Sequence, residues 1–333
     1  MTDRLVANPL AGPLEPSRGG DAALEFHRSL PGYRATPLVE SPGAARALGV
    51  ARVLVKDESS RFGLPSFKVL GASWATHRAV GDRRDVTLVC ATDGNHGRAV
   101  AWMARRLGLA ATVLVPAGMV PARRAAIAGE GARVEVVDGT YDDAVERAAA
   151  LAAPDTLVIQ DTAWPGYETV PGWVIDGYAT IGSEIDAEPD VVAVQIGVGS
   201  FAAAMVRRFA GARIIGVEPA TAACALASIE ARGPAEAPGP HTSVMAGLNC
   251  GRVSPVAWPV ISRGIEAFAA IDDRWAFDAV ELLGADGVVA GESGAAGLAG
   301  LLAFRSELAL RPDSTVLVVN TEGATGSAQS AAG

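Results

Sequence analysis

Short apolar runs and helix-like patterns alternate along most of this 333-residue chain, and this alternation limits the folds that it can adopt. Strand-like runs separated by helical patterns occupy residues 86–159, and a second block of the same kind extends from residue 173 to residue 320. Short strands that alternate with helices are typical of parallel sheets joined by crossover helices. We therefore predict an α/β protein with two open, twisted, mostly parallel sheets flanked by helices, and an active site between the two lobes.

The same periodicity places the individual elements. Predicted strands cover residues 52–55, 86–91, 111–115, 133–137, 156–159, 191–196, 213–217 and 315–320, and predicted helices cover residues 96–107, 121–129, 141–152, 173–185, 201–209, 221–231, 275–283 and 295–308. Residues 1 to about 40 are rich in Pro and Gly and are interpreted as a loosely packed arm. Residues 233–259 are predicted to form a long loop of the kind usually kept for function. We expect a large α/β domain from residues 1–80 and 186–333 and a small α/β domain from residues 81–185.

Charge and cysteine content argue against several classes of partner. With 28 basic and 37 acidic residues, the net charge of −9 argues against nucleic acid and anionic membranes. The three cysteines form no CxxC motif, so neither a disulfide scaffold nor a thiolate zinc site is expected, although contact between Cys224 and Cys250 stays open. The N-terminus lacks a signal-peptide pattern, and no apolar run is long enough to span a bilayer. These features predict a soluble, cytoplasmic protein.

A candidate nucleophile lies where a loop leads into a predicted helix. Gly63 and Pro65 break the chain, Ser66 is predicted as the N-cap, and Lys68 falls in the first turn beside Phe67. The helix dipole and an apolar neighbour both disfavour an ammonium ion there, so the sequence predicts a lowered pKa for Lys68. Such a lysine suits Schiff-base chemistry. Taken alone, an ordinary exposed lysine is the better interpretation, and the case depends on the segments that follow.

Two turns after predicted strands offer backbone amides to an anion. Residues 92–97 have the sequence TDGNHG, and residues 197–201 have the sequence GVGSF. Amides at strand-to-helix turns suit a phosphate or a carboxylate, although helix capping by Asp93 and Asn95 explains the first turn as well. The second turn lacks the third glycine of GxGxxG, and Glu218 after the next strand keeps a nucleotide-binding interpretation weakly open.

Further polar residues follow strands or precede helices at Asp161, Glu292 and Thr321, and each alone could be cap or turn chemistry. Taken together, a lysine at a helix start, two anion-binding turns and polar strand ends suit a cofactor with an aldehyde, a phosphate and a ring. Pyridoxal phosphate has all three.

Seven segments, spread over about residues 50–325, resemble those of the diaminopropionate ammonia-lyase family in the same order. They are SFKVLGA, TDGNHGRAVAW, QDTAWPGYETVPGW, GVGS, MAGLNCG, GESGAAG and NTEG. That family belongs to the tryptophan-synthase-β-like, fold-type-II group of pyridoxal-phosphate enzymes. The resemblance implies a two-lobed α/β subunit in which the large domain binds pyridoxal phosphate, the cofactor lies between the lobes, and two subunits form a homodimer.

The resemblance also implies a role for each matching residue of the cofactor site. Lys68 would hold pyridoxal phosphate as a Schiff base, Asn95 would contact its 3'-oxygen, and Thr321 would place a hydroxyl beside its pyridine nitrogen. The remaining implied cofactor contacts are Phe67 and the phosphate loop of Gly197, Val198, Gly199, Ser200 and Phe201.

For the substrate, the resemblance implies proton transfer by Asp93 and Asp161. The residues expected to bind the substrate are Thr92, Asp93, Gly94 and His96. No metal site is expected, and a need for a monovalent cation stays open.

The implied reaction is the α,β-elimination of 2,3-diaminopropionate, D and/or L, to pyruvate and ammonia through an external aldimine and an aminoacrylate. Related serine and threonine dehydratases typically have Ser where Asp93 stands, and a carboxylate suits an ammonium leaving group better than a hydroxyl. A serine/threonine dehydratase and a β-replacement synthase stay open as alternatives, with a nucleotide-binding oxidoreductase as the alternative without pyridoxal phosphate. The chain departs from the family in its shorter termini, in Ala324 after NTEG and in Arg252 after GLNCG.

Overall fold

Two β-sheets organise the computed structural model, which describes residues 2–14, 20–92 and 94–324. The strands are β1 (Arg4–Ala7), β2 (Leu38–Glu40), β3 (Arg52–Asp57), β4 (Thr87–Ala91), β5 (Ala110–Pro116), β6 (Arg133–Val137), β7 (Thr156–Val158), β8 (Val191–Gln195), β9 (Arg213–Pro219), β10 (Ala267–Ile271) and β11 (Thr315–Asn320). Within the described residues, the larger sheet has the order β1-β10-β9-β8-β11-β3-β2 and the smaller sheet has the order β6-β5-β4-β7. Apart from the antiparallel edge strands β1 and β2, all pairs are parallel.

Helices connect and cover these strands. They are α1 (Asp21–Ser29), α2 (Pro42–Leu48), α3 (Lys68–Val80), α4 (Asn95–Leu107), α5 (Pro121–Gly129), α6 (Tyr141–Ala149), α7 (Thr169–Ser183), α8 (Ser200–Arg208), α9 (Cys224–Glu230), α10 (Trp258–Gly264), α11 (Asp273–Ala285), α12 (Glu292–Ala303) and α13 (Arg305–Leu308). In the part of the chain that the structure describes, no helix is both long and apolar enough to cross a membrane. The predicted architecture of two mostly parallel sheets flanked by helices is confirmed.

The central strands of the larger sheet carry almost no exposed surface. Every residue of β8 is buried, and so is every residue of β11 after its first. Strands covered by helices on both faces appear in a sequence as continuous apolar runs, as these two do. Their carboxyl ends lie side by side, because Val316 to Val318 of β11 pair with Val191 to Ala193 of β8.

The prediction of a loosely packed N-terminal arm is wrong. β1 adds an antiparallel edge strand to β10, and α1 buries Ala23, Leu24 and His27. The interpretation of residues 233–259 as a loop holds for most of that range, but α10 begins inside it and the five-residue strand β10 follows. These short elements lie outside the regular alternation, and the strands β1 and β10 are ordered by pairing with strands distant in sequence.

The division into domains at residues 80/81 and 185/186 stays a prediction. The four strands of the smaller sheet lie between residues 87 and 158, inside the range assigned to the small domain.

A buried network of charges fixes the loop between β3 and α3. Nζ of Lys56 lies 2.6 Å from Oε2 of Glu184, and Nη1 of Arg61 lies 2.7 Å from Oε1 of the same carboxylate. Arg61 also pairs with Glu58, and all four side chains are almost completely buried. Burial alone would raise the pKa of Glu184, but hydrogen bonds and attraction to Arg61 and Lys56 lower it to about 2. The loop that leads to Lys68 is therefore anchored to the end of α7.

His27 anchors α1 to the helices behind the site. Its Nε2 donates to the carbonyl of Leu70, 3.0 Å away, so Nδ1 is the acceptor of the 2.8 Å hydrogen bond from the hydroxyl of Thr180. The imidazole has no exposed surface, and burial lowers its pKa to about 4. The folded protein therefore holds this histidine neutral.

Replacing His27 by Gln, which keeps a donor for Leu70 but does not titrate, is expected to flatten the pH dependence of stability. The unfolded imidazole takes up a proton below about pH 6.5, whereas the folded one does so only near pH 4. The native protein should therefore lose up to about 3 kcal/mol of unfolding free energy through His27 as the pH falls through this window. Urea unfolding of the native protein and of the variant between pH 7 and pH 4 measures how steeply each unfolding free energy depends on pH. Equal slopes in the two proteins would contradict the assignment, because the other histidines are unchanged.

Candidate active site

A cavity of about 270 Å³ lies at the carboxyl ends of β4, β8 and β11. Its walls come from the start of α3, the turns before α4 and α8, and the segment after β11. The residues that line it and were predicted as site residues are Phe67, Lys68, Thr92, Gly94, Asn95, His96, Asp161, Gly197, Val198, Gly199, Ser200, Phe201 and Thr321. Asp93 lies outside the residues that the structure describes.

Lys68 is the lysine amine that faces this cavity. The chain has two lysines, Lys56 and Lys68. Lys56 is fully buried in its ion pair with Glu184, while the side chain of Lys68 keeps 22% of its surface exposed. Of the two lysine amines in this chain, Lys68 is therefore the one placed to react with a ligand in the cavity.

The end of β11 positions Lys68. Ser66 is not the N-cap of α3, so this prediction is wrong: Phe67 precedes the helix without a side-chain cap, and Ser66 instead forms a β-bridge with Glu322. The backbone amide of Phe67 also donates to the carbonyl of Thr321, 3.2 Å away. The bridge brings the TEG segment beside the lysine, although more than 250 residues of sequence separate them.

The prediction of a lowered pKa for Lys68 is also wrong. Nζ donates to Oδ2 of Asp161 at 2.7 Å. Burial alone would lower the pKa of Lys68, but attraction to Asp161 outweighs it and raises the pKa well above its usual value. Burial alone would likewise raise the pKa of Asp161, yet the charge of Lys68 holds it at about 2. Without cofactor, the pair is therefore an ammonium facing a carboxylate.

His96 lies beside this pair as a neutral imidazole. Its Nε2 donates to the carbonyl of Ile159 at 2.8 Å, which leaves Nδ1 unprotonated, 3.8 Å from Oδ2 of Asp161. Nδ1 is buried and has no hydrogen-bond partner among the described residues. Burial lowers the pKa of His96. The site therefore holds an acceptor beside the carboxylate.

The turn before α4 is held by Thr92. Its Oγ1 accepts hydrogen bonds from the amides of Gly94 and Gly97, at 2.9 and 3.1 Å. Asn95 is the first residue of α4 and does not cap it, because its Nδ2 donates to Oε2 of Glu322 at 2.6 Å. Thr92 is thus used to shape the turn, and Asn95 is tied to the segment after β11.

The turn before α8 forms a cradle at the start of a nine-residue helix. Gly199 has a φ of +95°, a conformation that favours glycine. A Cβ on Gly197 would lie 3.1 Å from the carbonyl of Gly247 and 3.3 Å from Sγ of Cys250, so a side chain there would crowd the cradle. Ser200 donates its hydroxyl to the carbonyl of Asp161 at 2.8 Å. Amides in this arrangement suit a phosphate.

Two glycines bring α3 and α7 into close contact beneath the lysine. A Cβ on Gly177 would lie 2.5 Å from the carbonyl of Leu70, and a Cβ on Gly71 would lie 2.5 Å from the ring of Tyr178. The ring of Tyr178 consequently packs beside Phe67, with centroids 4.7 Å apart, and lies 6.0 Å from Nζ of Lys68. An apolar, aromatic floor thus lies under the amine.

Several residues around the cavity were not predicted, notably Gln195, Glu322, Arg123 and Tyr141. Gln195 could have been identified from the sequence, since it is the lone polar residue in the apolar run of β8. Tyr178 fits an ordinary helical core pattern, so nothing in the sequence marks it as a residue beside the cavity. Cys224 and Cys250 are both free thiols, so the structure contains no disulfide between them.

The residues of this cavity fit pyridoxal phosphate. Lys68 offers an amine for the aldehyde, the cradle before α8 offers amides for the phosphate, and Thr321 offers a hydroxyl at the end of β11. Among the described residues, no group of His, Cys, Asp and Glu side chains could hold a metal ion.

Comparison with known proteins agrees with this chemistry. Residues 30–322 match the model of the pyridoxal-phosphate dependent enzyme family, so the chain belongs to that class and uses its cofactor. This match excludes the alternative of a nucleotide-binding oxidoreductase. Diaminopropionate ammonia-lyase of Escherichia coli strain K12 is 34% identical over 373 aligned positions, covering 98% of this chain and 93% of the relative. The chain is a member of the diaminopropionate ammonia-lyase family.

Two further comparisons place it within that class. An L-threonine dehydratase of Mycobacterium leprae is 30% identical and covers 89% of this chain and 70% of its own length. A crystal structure of the Escherichia coli lyase, described as a complex with an aminoacrylate-PLP azomethine reaction intermediate, superposes with a TM-score of 0.90 at 32% identity, covering 97% of this chain and 94% of that one.

Asp161→Asn is expected to lower the pKa of Lys68 in the cofactor-free protein, because burial persists while the attracting charge is lost. Lysine labelled with ¹³C at Cε gives two resonances in this chain, one for each lysine. A pH titration of the Lys68 resonance should show a lower midpoint in the variant, while Lys56, whose partner Glu184 is unchanged, serves as the internal control. A Lys68 midpoint that does not move would contradict the assigned ion pair.

Proposed function

We propose that the protein catalyses the α,β-elimination of 2,3-diaminopropionate to pyruvate and ammonia. The observation that carries the proposal is the Lys68–Asp161 pair inside the cavity, with the neutral His96 beside it. It places a basic amine, a carboxylate and a hydrogen-bond acceptor around one small volume. The 34% identity with diaminopropionate ammonia-lyase over nearly the whole chain supports this choice of substrate.

Residues of the cavity would hold the cofactor in a defined orientation. Lys68 would bind the aldehyde carbon, the amides of residues 197–201 would bind the phosphate, Asn95 would contact the 3'-oxygen and Thr321 would approach the pyridine nitrogen. Phe67 would contribute an apolar contact. When bound, pyridoxal phosphate supplies an aldehyde that condenses with amines and a ring that draws electrons from the neighbouring carbon.

The chain's own groups would then bind the substrate and move its protons. Nζ of Lys68 and Oδ2 of Asp161 are 2.7 Å apart, a distance that allows a proton to pass between them. We propose Asp161 and Asp93 as bases on opposite faces of the substrate, each serving one enantiomer. The turn that contains Thr92, Gly94 and His96 would bind the substrate carboxylate through the Thr92 hydroxyl and the main-chain amides that begin α4, because the neutral His96 ring donates its one N–H to Ile159.

Two carboxylates near the β-substituent would favour an ammonium leaving group over a hydroxyl. An ammonium carries a positive charge and three donors, whereas a hydroxyl offers one donor and no charge. This electrostatic difference is the physical reason to propose diaminopropionate rather than serine as the substrate. A serine/threonine dehydratase and a β-replacement synthase are the competing outcomes.

The purified holoenzyme is expected to release pyruvate from diaminopropionate and little from serine, measured with a coupled lactate dehydrogenase assay.

Lys68→Ala should lose the visible cofactor band and reduce turnover by more than about 10³-fold, because the covalent attachment is lost. Lys68→Arg keeps the positive charge opposite Asp161, so it separates loss of the amine from loss of the ion pair.

Asp93→Asn and Asp161→Asn are each assayed separately with the D and the L substrate. One variant should lose activity mainly with the D substrate and the other mainly with the L substrate.

Activity with serine or threonine above that with diaminopropionate would favour the dehydratase instead. Product formation only when a thiol is added would favour the synthase. Equal losses for both enantiomers in each Asp variant would reject the two-base assignment while leaving the lyase activity standing.

We also propose that two copies form a homodimer in the cytoplasm, as the resemblance and the cysteine-poor composition imply. Light scattering should then give a mass of about twice 33.9 kDa. A mass of one subunit would contradict the dimer, and recovery of the protein outside the cytoplasmic fraction of cells would contradict the location.

A further inference from the structure

Gln195 makes an unusual set of contacts at the carboxyl end of β8. Its side chain is 3% exposed, and its Nε2 lies close to four oxygen atoms. The distances are 3.1 Å to the carbonyl of Ser293, 3.2 Å to that of Gly294, 3.0 Å to that of Val319 and 2.9 Å to Oγ1 of Thr321. Oε1 is buried and has no hydrogen-bond partner among the described residues.

The surroundings fix which atom of this amide is nitrogen. Three of the four neighbours are main-chain carbonyls, which only accept hydrogen bonds. The opposite orientation would place Oε1 against three carbonyl oxygens, so Nε2 must face them. The two amide hydrogens are therefore shared among four acceptors, one of which is the hydroxyl of Thr321.

This contact determines the direction of the Thr321 hydroxyl. An amide nitrogen cannot accept a hydrogen bond, so Oγ1 of Thr321 accepts from Gln195 and its own hydrogen is directed elsewhere. The side-chain hydrogen bond found for Thr321 among the described residues is one that Oγ1 accepts. Thr321 lines the cavity, and the hydrogen is thus available to whatever occupies it.

We propose that Gln195 is a positioning residue that keeps Thr321 as a hydrogen-bond donor to the pyridine nitrogen of the cofactor. A nitrogen that receives such a bond has its lone pair in use and stays unprotonated. The ring then draws electrons less strongly than a pyridinium would, which favours prompt loss of the β-group. The inference rests on the proposed placement of Thr321 beside that nitrogen, and it holds whichever β-group leaves.

Without the Gln195 amide, the Thr321 hydroxyl would be free to rotate and accept a hydrogen bond instead. A pyridine nitrogen facing an acceptor can hold a proton, so removal of Gln195 should change the protonation state of the ring. This consequence separates a positioning role from a purely structural one, because a loss of packing alone gives no reason for the ring to gain a proton.

The test uses holoenzyme loaded with pyridoxal phosphate that carries ¹⁵N in the ring. The ring ¹⁵N chemical shift of the native protein is expected to match that of free cofactor with an unprotonated nitrogen. Gln195→Met, which fills similar volume without a donor, should move the shift toward the protonated reference. Thr321→Val removes the hydroxyl and keeps the shape of the side chain. It should change the ring ¹⁵N shift both in the native protein and in the Gln195→Met variant.

The outcomes distinguish the two assignments. If Thr321→Val leaves the ¹⁵N shift unchanged, the placement of Thr321 beside the nitrogen is wrong. If Thr321→Val changes the shift but Gln195→Met does not, the role given to Gln195 is wrong. A protonated nitrogen in the native holoenzyme would overturn the proposal outright.

Gln195→Met removes a buried donor that lies against three carbonyls and can fail to fold for that reason. Neutron diffraction from crystals of the native holoenzyme then gives the same answer without a variant. Deuterium on Thr321 should lie between Oγ1 and the ring nitrogen. Deuterium directed away from the ring would overturn the proposal.

Discussion

The largely buried ion pair between Lys68 and Asp161 is the interaction on which the site depends. Removing two charges from water is costly unless each finds a partner of good geometry, and these two charges find one another at 2.7 Å. Lys68 begins α3, whereas Asp161 follows β7 of the smaller sheet, 93 residues later. Separation of the two elements would leave both charges uncompensated. The pair therefore ties the smaller sheet to the helix that carries the lysine amine of the cavity.

Three independent contacts hold α3 in place for this pair. The bridge from Ser66 to Glu322 fixes its start, the contact of Gly177 with Leu70 fixes its distance from α7, and the hydrogen bond from His27 to Leu70 ties it to α1. The charged network around Glu184 fixes the loop before it. Lys68 is thus positioned by backbone and buried polar contacts, which resist movement more than side-chain packing alone would.

Local patterns of the sequence were sufficient for the elements of the regular alternation, but not for features that depend on distant partners. Residues 121–129, 133–137 and 315–320 were predicted with the bounds that the structure has. β10 and the N-terminal strand β1 were missed because both lie outside the regular alternation of strands and helices, and they are ordered by pairing with strands distant in sequence: β10 with β9 and β1, and β1 with β10.

The reactivity of Lys68 illustrates the same limit for the site. The helix start and the aromatic neighbour of Lys68 are local features, and from them a lowered pKa followed. The charge that reverses this shift comes from Asp161, whose distance from Lys68 no local pattern encodes. Ser66 was assigned as a cap for a similar reason, since its backbone partner Glu322 lies at the other end of the chain.

The polar residues that end strands were individually ambiguous, and the order of strands removes the ambiguity. Gln195 is a conspicuous residue in an apolar run, and Thr321 is an ordinary polar residue after the last strand. β8 and β11 are neighbours in the sheet, so the carboxyl ends of both strands meet at one edge and the amide reaches the hydroxyl. A hydroxyl can donate or accept, and only the fixed donor beside it selects one of these states. The chemistry available at this edge therefore follows from the pairing of two strands more than 120 residues apart, and not from either residue type alone.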